Sequence, residues 1–297
     1  MHKSGRTEWT GYLFLLPAAL TLILVCLYPI FKNFYYSFRE MSLIFKTNSF
    51  IGFGNYNTLI HDVKFWNATQ NTVIFTVATV FFEAIIGLLI AIIINKSFYG
   101  RGAVRAAVLV PWAIPTVVTA LMWKWIYNSD FGVLNFILVK VGILQTNYNW
   151  LGNDLSSLIC IIFADVWKTV PFITLLALSG LQTISLEVYE AAKIDGTSAW
   201  RTFISITMPM IKRVFLVAIL LRALDAFRVY DLVYVLTNGG PGDSTEVLST
   251  YTYKVLFSTG NFGYGSTLAV AMFMFVALLG LIYFLLQVRF DKEEQSV

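Results

Sequence analysis

The sequence predicts an all-α integral membrane protein with six transmembrane helices. The mean hydropathy of the 297 residues is +0.71. Charged residues make up only 13% of the chain, against about 25% in an average soluble domain. Six separate apolar segments are each about as long as the 20 residues that a helix needs to cross a bilayer.

The six apolar segments set the order of the predicted spans, which cover residues 12–31, 70–94, 106–127, 156–180, 211–236 and 268–288. The first segment could be confused with a cleaved signal sequence. Its apolar run is longer than a signal peptide core, and FKNFYYSFRE, which follows it, offers no small-residue cleavage site. We therefore expect a true membrane span there.

Lysine and arginine placement predicts that both chain ends are cytoplasmic, because cytoplasmic loops carry the excess of these residues. The loops on the N-terminal side hold Lys3, Arg6, Lys96, Arg101, Arg105, Lys193, Arg201, Lys212, Arg213, Arg289 and Lys292. The opposite loops hold Lys32, Arg39, Lys46, Lys64, Lys140 and Lys254. The polar segment between spans four and five then faces the cytoplasm.

Several functional classes find no support in the residues. The net charge of +4 is too small to indicate a nucleic-acid partner. Cys26 and Cys160 both lie in apolar segments, and the two histidines are distant from them, so no metal site is predicted. The chain has neither a G-x-x-x-x-G-K-[ST] phosphate loop nor a G-x-S-x-G nucleophile elbow. It is not expected to hydrolyse nucleotides itself.

Spans four and five carry unusual charges. FADVWKTVPF places Asp165, Trp167 and Lys168 in span four, and Asp165 and Lys168 are three residues apart, so they can pair on one helix face. In span five, LRALDAFRVYDLVY sets charges of alternating sign at steps of three: Arg222, Asp225, Arg228 and Asp231. Charges at membrane depth must be paired or hydrated. Two interpretations stay open, a structural ladder of ion pairs and the lining of a translocation path.

Residues 181–213 predict a helix, a glycine turn and a second helix outside the membrane. Glu187 lies at the acidic start of the first helix, Gly196 can take the left-handed conformation that ends it, and Thr197 or Ser198 can cap the next one. This segment could be a rigid docking element, or an amphipathic connector on the membrane surface.

The spacing within this segment resembles a known signature. Glu190, Ala191 and Ala192, then three residues, Gly196, nine residues, and Ile206 with Pro209 match the EAA motif of the permease subunits of binding-protein-dependent ABC importers. Every interval agrees, and the one departure is Met208 where leucine is usual. The stretches LVPWAIPTVVTALMWKWIY and YDLVYVLTNGGPGDST are similar to the maltose and trehalose type within the sugar-importer branch.

The resemblance implies a type I ABC importer permease fold and a division into an N-terminal helix with its outer loop at 1–68, a permease domain at 69–288 and a cytoplasmic tail at 289–297. It implies these partners: a second homologous permease subunit, two ATPase subunits that bind ATP and magnesium, and an extracytoplasmic substrate-binding protein. The chain itself would hold no cofactor. Its localisation would be the cell membrane of a bacterium or archaeon, as a multi-pass subunit.

The resemblance also implies roles for residues. The EAA loop at about 186–209 would dock on an ATPase subunit through Glu187, Glu190, Ala191, Ala192, Asp195, Gly196, Ile206 and Pro209. Polarity and depth add a candidate sugar pathway of Asp165, Trp167, Lys168, Asp225, Arg228 and Tyr230. The glycine-rich loop would contact the binding protein through Asn238, Gly239, Gly240 and Pro241.

Three other functions are alternatives to sugar import. An importer of another solute class would share the EAA loop, although the GGPG loop and the first span favour a sugar. An ion-driven secondary carrier would suit the intramembrane charges, but six spans without an internal repeat are unexpected in such a carrier. A membrane-bound sugar transferase needs paired carboxylates or a metal at the interface, and the sequence offers neither.

Overall fold

The computed structural model describes the backbone of residues 5–295 and the side chains of residues 12–285, 287 and 288. Lys3, which enters the charge comparison, and residues 296–297 of the predicted tail lie outside the described residues. Two compact units make up the chain, one from residues 1–65 and 251–274 and the other from 66–250 and 275–297.

The smaller unit begins with one long helical span. Helix α1 (Gly5–Thr21), a π-helical segment (Leu22–Leu27) and α2 (Tyr28–Ser37) follow one another without a break. Residues Tyr12–Ser37 are long and apolar enough to cross a membrane. An antiparallel hairpin of β1 (Arg39–Ser42) and β2 (Thr47–Phe50) and the short helix α3 (Gly54–His61) come next. The hairpin is a small exception to the predicted all-α content.

Close backbone approach shapes the smaller unit. Its second part contains the end of α13 (Leu248–Tyr253), a π-helical segment (Lys254–Ser258) and the start of α14 (Phe262–Gln295). A Cβ atom at Gly263 would lie 2.1 Å from the carbonyl oxygen of Arg39, so only glycine fits there. Asn55 Nδ2 donates to the carbonyl oxygens of Ser37 and Arg39 at 2.9 and 2.8 Å. These contacts hold the strand and helix ends of the unit together.

Asp62, between α3 and the next helix, accepts hydrogen bonds from two tyrosines. Tyr251 Oη donates to Asp62 Oδ2 at 2.5 Å, and Tyr264 Oη donates to the same oxygen. The backbone N–H of Lys64 donates to Asp62 Oδ1 at 2.9 Å. Burial opposes ionisation of this carboxyl, but the hydrogen bonds outweigh it and lower the pKa of Asp62 below its ordinary 3.8.

Replacing Asp62 with asparagine should destabilise the smaller unit by about 1 kcal/mol near neutral pH, because a partly solvated charge-assisted contact is lost. The folded-state pKa lies below the unfolded value, so the stabilisation is complete above pH of about 4 and disappears as the pH falls through the folded-state pKa. Thermal unfolding in detergent at neutral and acid pH measures this. An unchanged difference between Asp62→Asn and the wild type at both pH values would contradict the assignment.

The larger unit contains most of the candidate spans. Helix α4 (Val63–Asn95) enters it and is followed by α5 (Arg101–Ala113), α6 (Thr116–Ile126), α7 (Val133–Lys140) and α8 (Asp154–Gln182). Helices α9 (Leu186–Ile194) and α10 (Ala199–Thr202), a π-helical segment (Phe203–Thr207), α11 (Met208–Ala226) and α12 (Asp231–Leu236) follow. Among the described residues, five helices are long and apolar enough to span a membrane, or six if the bent pair α5–α6 is one span.

Helices α4, α8 and α11 pack closely because glycines lie at their contacts. A Cβ atom at Gly87 on α4 would meet Ile173 Cγ2 on α8 at 2.9 Å. One at Gly180 on α8 would meet Ile211 Cβ on α11 at 3.3 Å. The buried side chains around these contacts form one apolar cluster that includes Leu88, Ile173 and Ile211.

The third predicted span, 106–127, is broken rather than continuous. Helix α5 ends at Ala113 and α6 begins at Thr116, and the two axes differ by 93°. Ile114 is extended, with ψ of 131°, as expected for a residue that precedes proline. Pro115 continues the extended backbone with ψ of 140° before α6 starts. Pro111, by contrast, is accommodated inside α5.

The fifth predicted span, 211–236, is also wrong in its limits. The span-forming helices cover Ala199–Ala226, and the chain leaves the helix at Phe227 before α12 begins at Asp231. The four charges of the predicted ladder therefore do not share one helix. Side chains support the break: Ser249 Oγ donates to the carbonyl oxygen of Val229, and Arg228 Nε donates to that of Leu224 at 3.0 Å. Such bonds replace those that an unbroken helix would make.

Candidate functional site

The segment between α8 and α11 forms the predicted helix, glycine turn and helix. Gly196 has φ of +70° and ends α9 in a left-handed conformation. The N–H of Gly196 donates to the carbonyl of Lys193 at 3.1 Å, and the N–H of Thr197 donates to that of Ala192 at 3.1 Å. These two bonds form a Schellman motif. Ser198 caps α10 by accepting from the N–H of Arg201 at 3.3 Å, so Ser198, of the two predicted candidates, is the N-cap.

The residues around this turn expose acidic, small and apolar side chains. Glu187, Glu190, Ala191, Asp195 and Gly196 are exposed, and so is Pro209, while Ile206 is half-buried. The side chain of Ile194 is 86% exposed next to the turn. A Cβ atom at Gly196 would have no neighbour within 4 Å, so its surroundings within the chain are open. The turn between α9 and α10 is therefore an exposed surface on which another chain could bind.

Ala191 and Ala192 are both among the residues predicted to dock on an ATPase subunit, but only Ala191 is exposed. The side chain of Ala192 is buried within its own chain, and its carbonyl accepts from the N–H and the hydroxyl of Thr197 at 3.1 and 2.7 Å. Tyr189 Oη and Thr207 Oγ1 lie 3.3 Å apart and link α9 to the start of α11. Ala192 therefore stabilises the shape of the turn, and Ala191 is the alanine that a partner can reach.

Five of the six candidate pathway residues line one polar cavity of about 160 Å³. It is lined by residues of α6, α8 and α11, of the break before α12 and of the first turn of α12: Thr116, Asp165, Lys168, Thr169, Arg222, Asp225, Ala226, Arg228, Val229, Tyr230, Asp231 and Leu232. The break at 227–230 lets Arg228 and Tyr230 reach the same space as the α8 residues. The rings of Tyr230 and Tyr234 stack at 5.3 Å beside it.

Trp167 is the candidate that the structure does not bring to the cavity. Its ring packs edge-on against Trp123 at a centroid distance of 5.7 Å, within an apolar cluster that includes Ile161 and Leu232. One helical step separates Trp167 from the cavity-lining Lys168, so the two side chains leave α8 in different directions.

A charge cluster centred on the buried Arg222 lies at the wall of the cavity, to which Arg222, Asp165 and Asp225 contribute. Arg222 Nε lies 2.6 Å from Glu83 Oε2, Arg222 Nη1 lies 3.0 Å from Asp225 Oδ2, and Arg222 Nη2 bonds Asp165 Oδ2. The side chains of Arg222 and Glu83 are 3% and 0% exposed, whereas that of Asp225 is 68% exposed. One guanidinium thus joins carboxylates from α4, α8 and α11.

Sequence reasoning missed Glu83 and did not place Arg222 in the site. Asp165 was expected to pair with Lys168 along α8, but its ion pair is with Arg222 on α11. The available signal was that Glu83 is the one charged residue in the apolar segment 70–94. An ionisable residue inside a span is by default a functional candidate.

The glycine-rich loop after α12 is folded against α4. Asn71 Nδ2 donates to the carbonyls of Asp243 and Glu246 at 3.2 and 3.0 Å, and Thr72 Oγ1 accepts from the N–H of Leu248 at 2.9 Å. Gly239 is buried, Gly240 and Pro241 are half-buried, and Asn238 is exposed. Of the four residues predicted to meet a binding protein, Asn238 is the most accessible.

The chain is similar to proteins of a known family. Residues 83–294 match the family described as binding-protein-dependent transport system inner membrane component. The chain belongs to this family. It is 40% identical over 278 residues, covering 94% of this chain and 93% of the relative, to the trehalose/maltose transport system permease protein MalF of Thermococcus litoralis. It is 36% identical over 274 residues, covering 92% and 87%, to the trehalose transport system permease protein SugA of Mycobacterium tuberculosis.

The fold agrees with solved permeases. A bacterial ABC transporter involved in the import of the acidic polysaccharide alginate contains a chain with a TM-score of 0.84 at 22% identity, covering 96% of each chain. The family and the type I importer fold predicted from the EAA spacing are thereby confirmed. The permease is a multi-pass subunit of the cell membrane. It is a transport subunit and not the ATP-hydrolysing subunit, and its family works with a binding protein.

Proposed function

We propose that this permease moves a neutral di- or oligosaccharide of the trehalose and maltose type into the cytoplasm by alternating access. Its partners in this proposal are a second homologous permease, two ATPase subunits with ATP and magnesium, and an extracytoplasmic substrate-binding protein. The observation that carries the proposal is the polar cavity beside the charge cluster centred on Arg222, in a chain 40% identical to a trehalose/maltose permease protein.

The cavity chemistry suits a neutral polyol. Its wall combines the carboxylates of Asp225 and Asp231 with the cations of Lys168 and Arg228, so neither sign of charge dominates. Carboxylates accept hydrogen bonds from hydroxyl groups and cations donate to them. The ring of Tyr230 adds an apolar face for the C–H surface of a sugar. A charged solute of either sign would meet like charges in this wall as well as opposite ones, so the wall favours no charged solute over a neutral one.

The segment 186–209 supports the coupling role in this proposal. Its Schellman turn fixes the end of α9, Ala191 and Gly196 are small and exposed, and Ile194 beside them exposes an apolar side chain. An ATPase subunit that grips this turn would move α8 and α11, which begin or end directly at the segment. ATP would drive the change because it binds the closed ATPase dimer more tightly than the open one.

Uptake by proteoliposomes tests the proposal. The complete transporter is reconstituted with its binding protein, and the entry of radiolabelled trehalose and maltose is measured. We expect uptake only with both ATP and the binding protein present. Uptake that proceeds without ATP and collapses with the ion gradient would contradict it and favour a secondary carrier. ATP-dependent uptake of an amino acid or polyamine, with both sugars excluded, would indicate another solute class.

Alanine at Arg228 should raise the half-saturating sugar concentration about tenfold, since a charge-assisted hydrogen bond is worth roughly 1.5–3 kcal/mol. Asp225→Ala should alter the ratio of trehalose to maltose uptake, because Asp225 faces the cavity and can accept from hydroxyls. Lys140→Ala, an exposed lysine outside the cavity, is the matched control. Unchanged uptake and sugar preference in both cavity variants would refute the pathway assignment.

A further inference from the structure

The guanidinium of Arg222 lies among three carboxylates at the edge of the cavity. Its Nη1 and Nη2 donate to Asp225 and Asp165, and its Nε forms an ion pair with Glu83 Oε2 at 2.6 Å. Two of these carboxylates are buried, and the third, on Asp225, faces the cavity. The buried pair can fix the plane of the guanidinium, while the exposed Asp225 can exchange its bond for a ligand hydroxyl.

Glu83 is itself held at both carboxylate oxygens. Oε2 meets Arg222 Nε at 2.6 Å, and Oε1 accepts from Thr169 Oγ1 at 2.5 Å. Because Nε is next to the side-chain stem, the attraction between the two charges favours positions of the guanidinium that keep Nε beside the Glu83 carboxylate. Glu83 lies outside the cavity lining, whereas Arg222 and Thr169 belong to it. Glu83 therefore acts on the cavity only through these two residues.

We propose that Glu83 is a positioning residue that orients Arg222 so that its N–H donors face the cavity and bind a sugar hydroxyl when Asp225 moves aside. This inference rests on the proposed sugar transport. Without the Glu83 charge, the guanidinium would turn toward Asp165 and Asp225 alone, and its donors would no longer point at a fixed place. The loss would appear as weaker and less selective sugar binding.

Two threonines on α8 provide a matched pair of variants. Thr169 and Thr174 are both buried, and the hydroxyl of each lies near the carbonyl four residues earlier, at 2.6 Å from Asp165 O and 3.0 Å from Val170 O. Thr169 also donates to Glu83. Valine at either site removes one buried hydroxyl, but only Thr169→Val removes a hydrogen bond of the Glu83 carboxylate.

The test is equilibrium dialysis of radiolabelled trehalose against the complete purified transporter in detergent, without binding protein. We expect Glu83→Gln to raise the dissociation constant about tenfold, which matches the loss of one charge-assisted bond. Thr169→Val should raise it by a smaller factor, about threefold, because the Glu83 carboxylate keeps its ion pair with Arg222, and Thr174→Val should leave it unchanged. Thermal midpoints of the same samples report any general destabilisation. If Glu83→Gln does not assemble, the comparison of Thr169→Val with Thr174→Val still tests the proposal.

The outcomes separate the two claims. A wild-type dissociation constant in Glu83→Gln or Thr169→Val would overturn the positioning role while leaving the proposed transport intact. An equal rise in Thr169→Val and Thr174→Val would also overturn it, because it would show a packing effect. A wild-type transporter that binds no trehalose in this assay would overturn this inference alone, because the uptake measurement in proteoliposomes decides the proposed transport separately.

Discussion

Replacing Arg222 with leucine is expected to prevent accumulation of the folded permease. The substitution leaves the carboxylates of Glu83 and Asp165 buried without their cation. Breaking a buried ion pair by removing one partner costs about 3–5 kcal/mol. That loss is a large share of the roughly 5–15 kcal/mol that keeps a typical domain folded. The monodisperse fraction and the thermal midpoint in detergent measure the effect.

Two control variants separate charge from volume. Arg228→Leu removes an exposed arginine a short distance along the chain, with one hydrogen bond to the carbonyl of Leu224, and should cost no more than about 1 kcal/mol. Combining Arg222→Leu with Glu83→Gln and Asp165→Asn removes the uncompensated charges and should recover most of the folded protein. An Arg222→Leu permease with the thermal midpoint of the wild type would show that the cluster does not stabilise the α4, α8 and α11 contact.

Gly196→Asp is expected to uncouple ATP hydrolysis from uptake. Gly196 has φ of +70° with no atom near a Cβ position, and aspartate is among the residues that tolerate this conformation. The turn should therefore keep its shape, while a carboxylate appears at its tip. A charge left unpaired in an interface costs about 2–5 kcal/mol, so we expect sugar uptake to fall at least tenfold while ATP hydrolysis continues.

Gly100→Asp is the matched control for this variant. Gly100 has φ of +82°, also with no atom near a Cβ position, and it lies in another loop on the predicted cytoplasmic side. The same strain and charge there should leave coupling unchanged. Normal sugar uptake by Gly196→Asp, or an equal defect in Gly100→Asp, would contradict docking at this turn.

The sequence predicted the parts of this molecule that local patterns determine. The apolar segments, the Gly196 turn and the Ser198 cap follow from hydropathy and from the conformations that glycine and serine adopt. The family followed from the spacing between Glu190 and Pro209. These features depend on residues that are neighbours along the chain.

The features that were missed depend on tertiary contacts. Pro111 and Pro115 give the same local signal, yet one remains within α5 and the other separates α5 from α6. The sequence predicted one continuous helix for the four charges of span five. The break depends on Ser249, which is distant in the sequence and donates to the carbonyl of Val229. The ion pair of Glu83 was not predicted because its partner, Arg222, lies on another span and no local spacing indicates the pair.

The docking of residues 186–209 on an ATPase subunit is the central claim, and site-specific cross-linking tests it most directly. Cys26 and Cys160 are first replaced with serine and alanine, and one cysteine is then introduced at Ile194, whose side chain is 86% exposed, or at Gly100 as the control. We expect a photoactivatable benzophenone maleimide, attached to the cysteine and then irradiated, to join position 194, but not position 100, to the ATPase subunit, with a yield that changes on addition of ATP. No cross-link from position 194, or equal cross-linking from both positions, would contradict the claim.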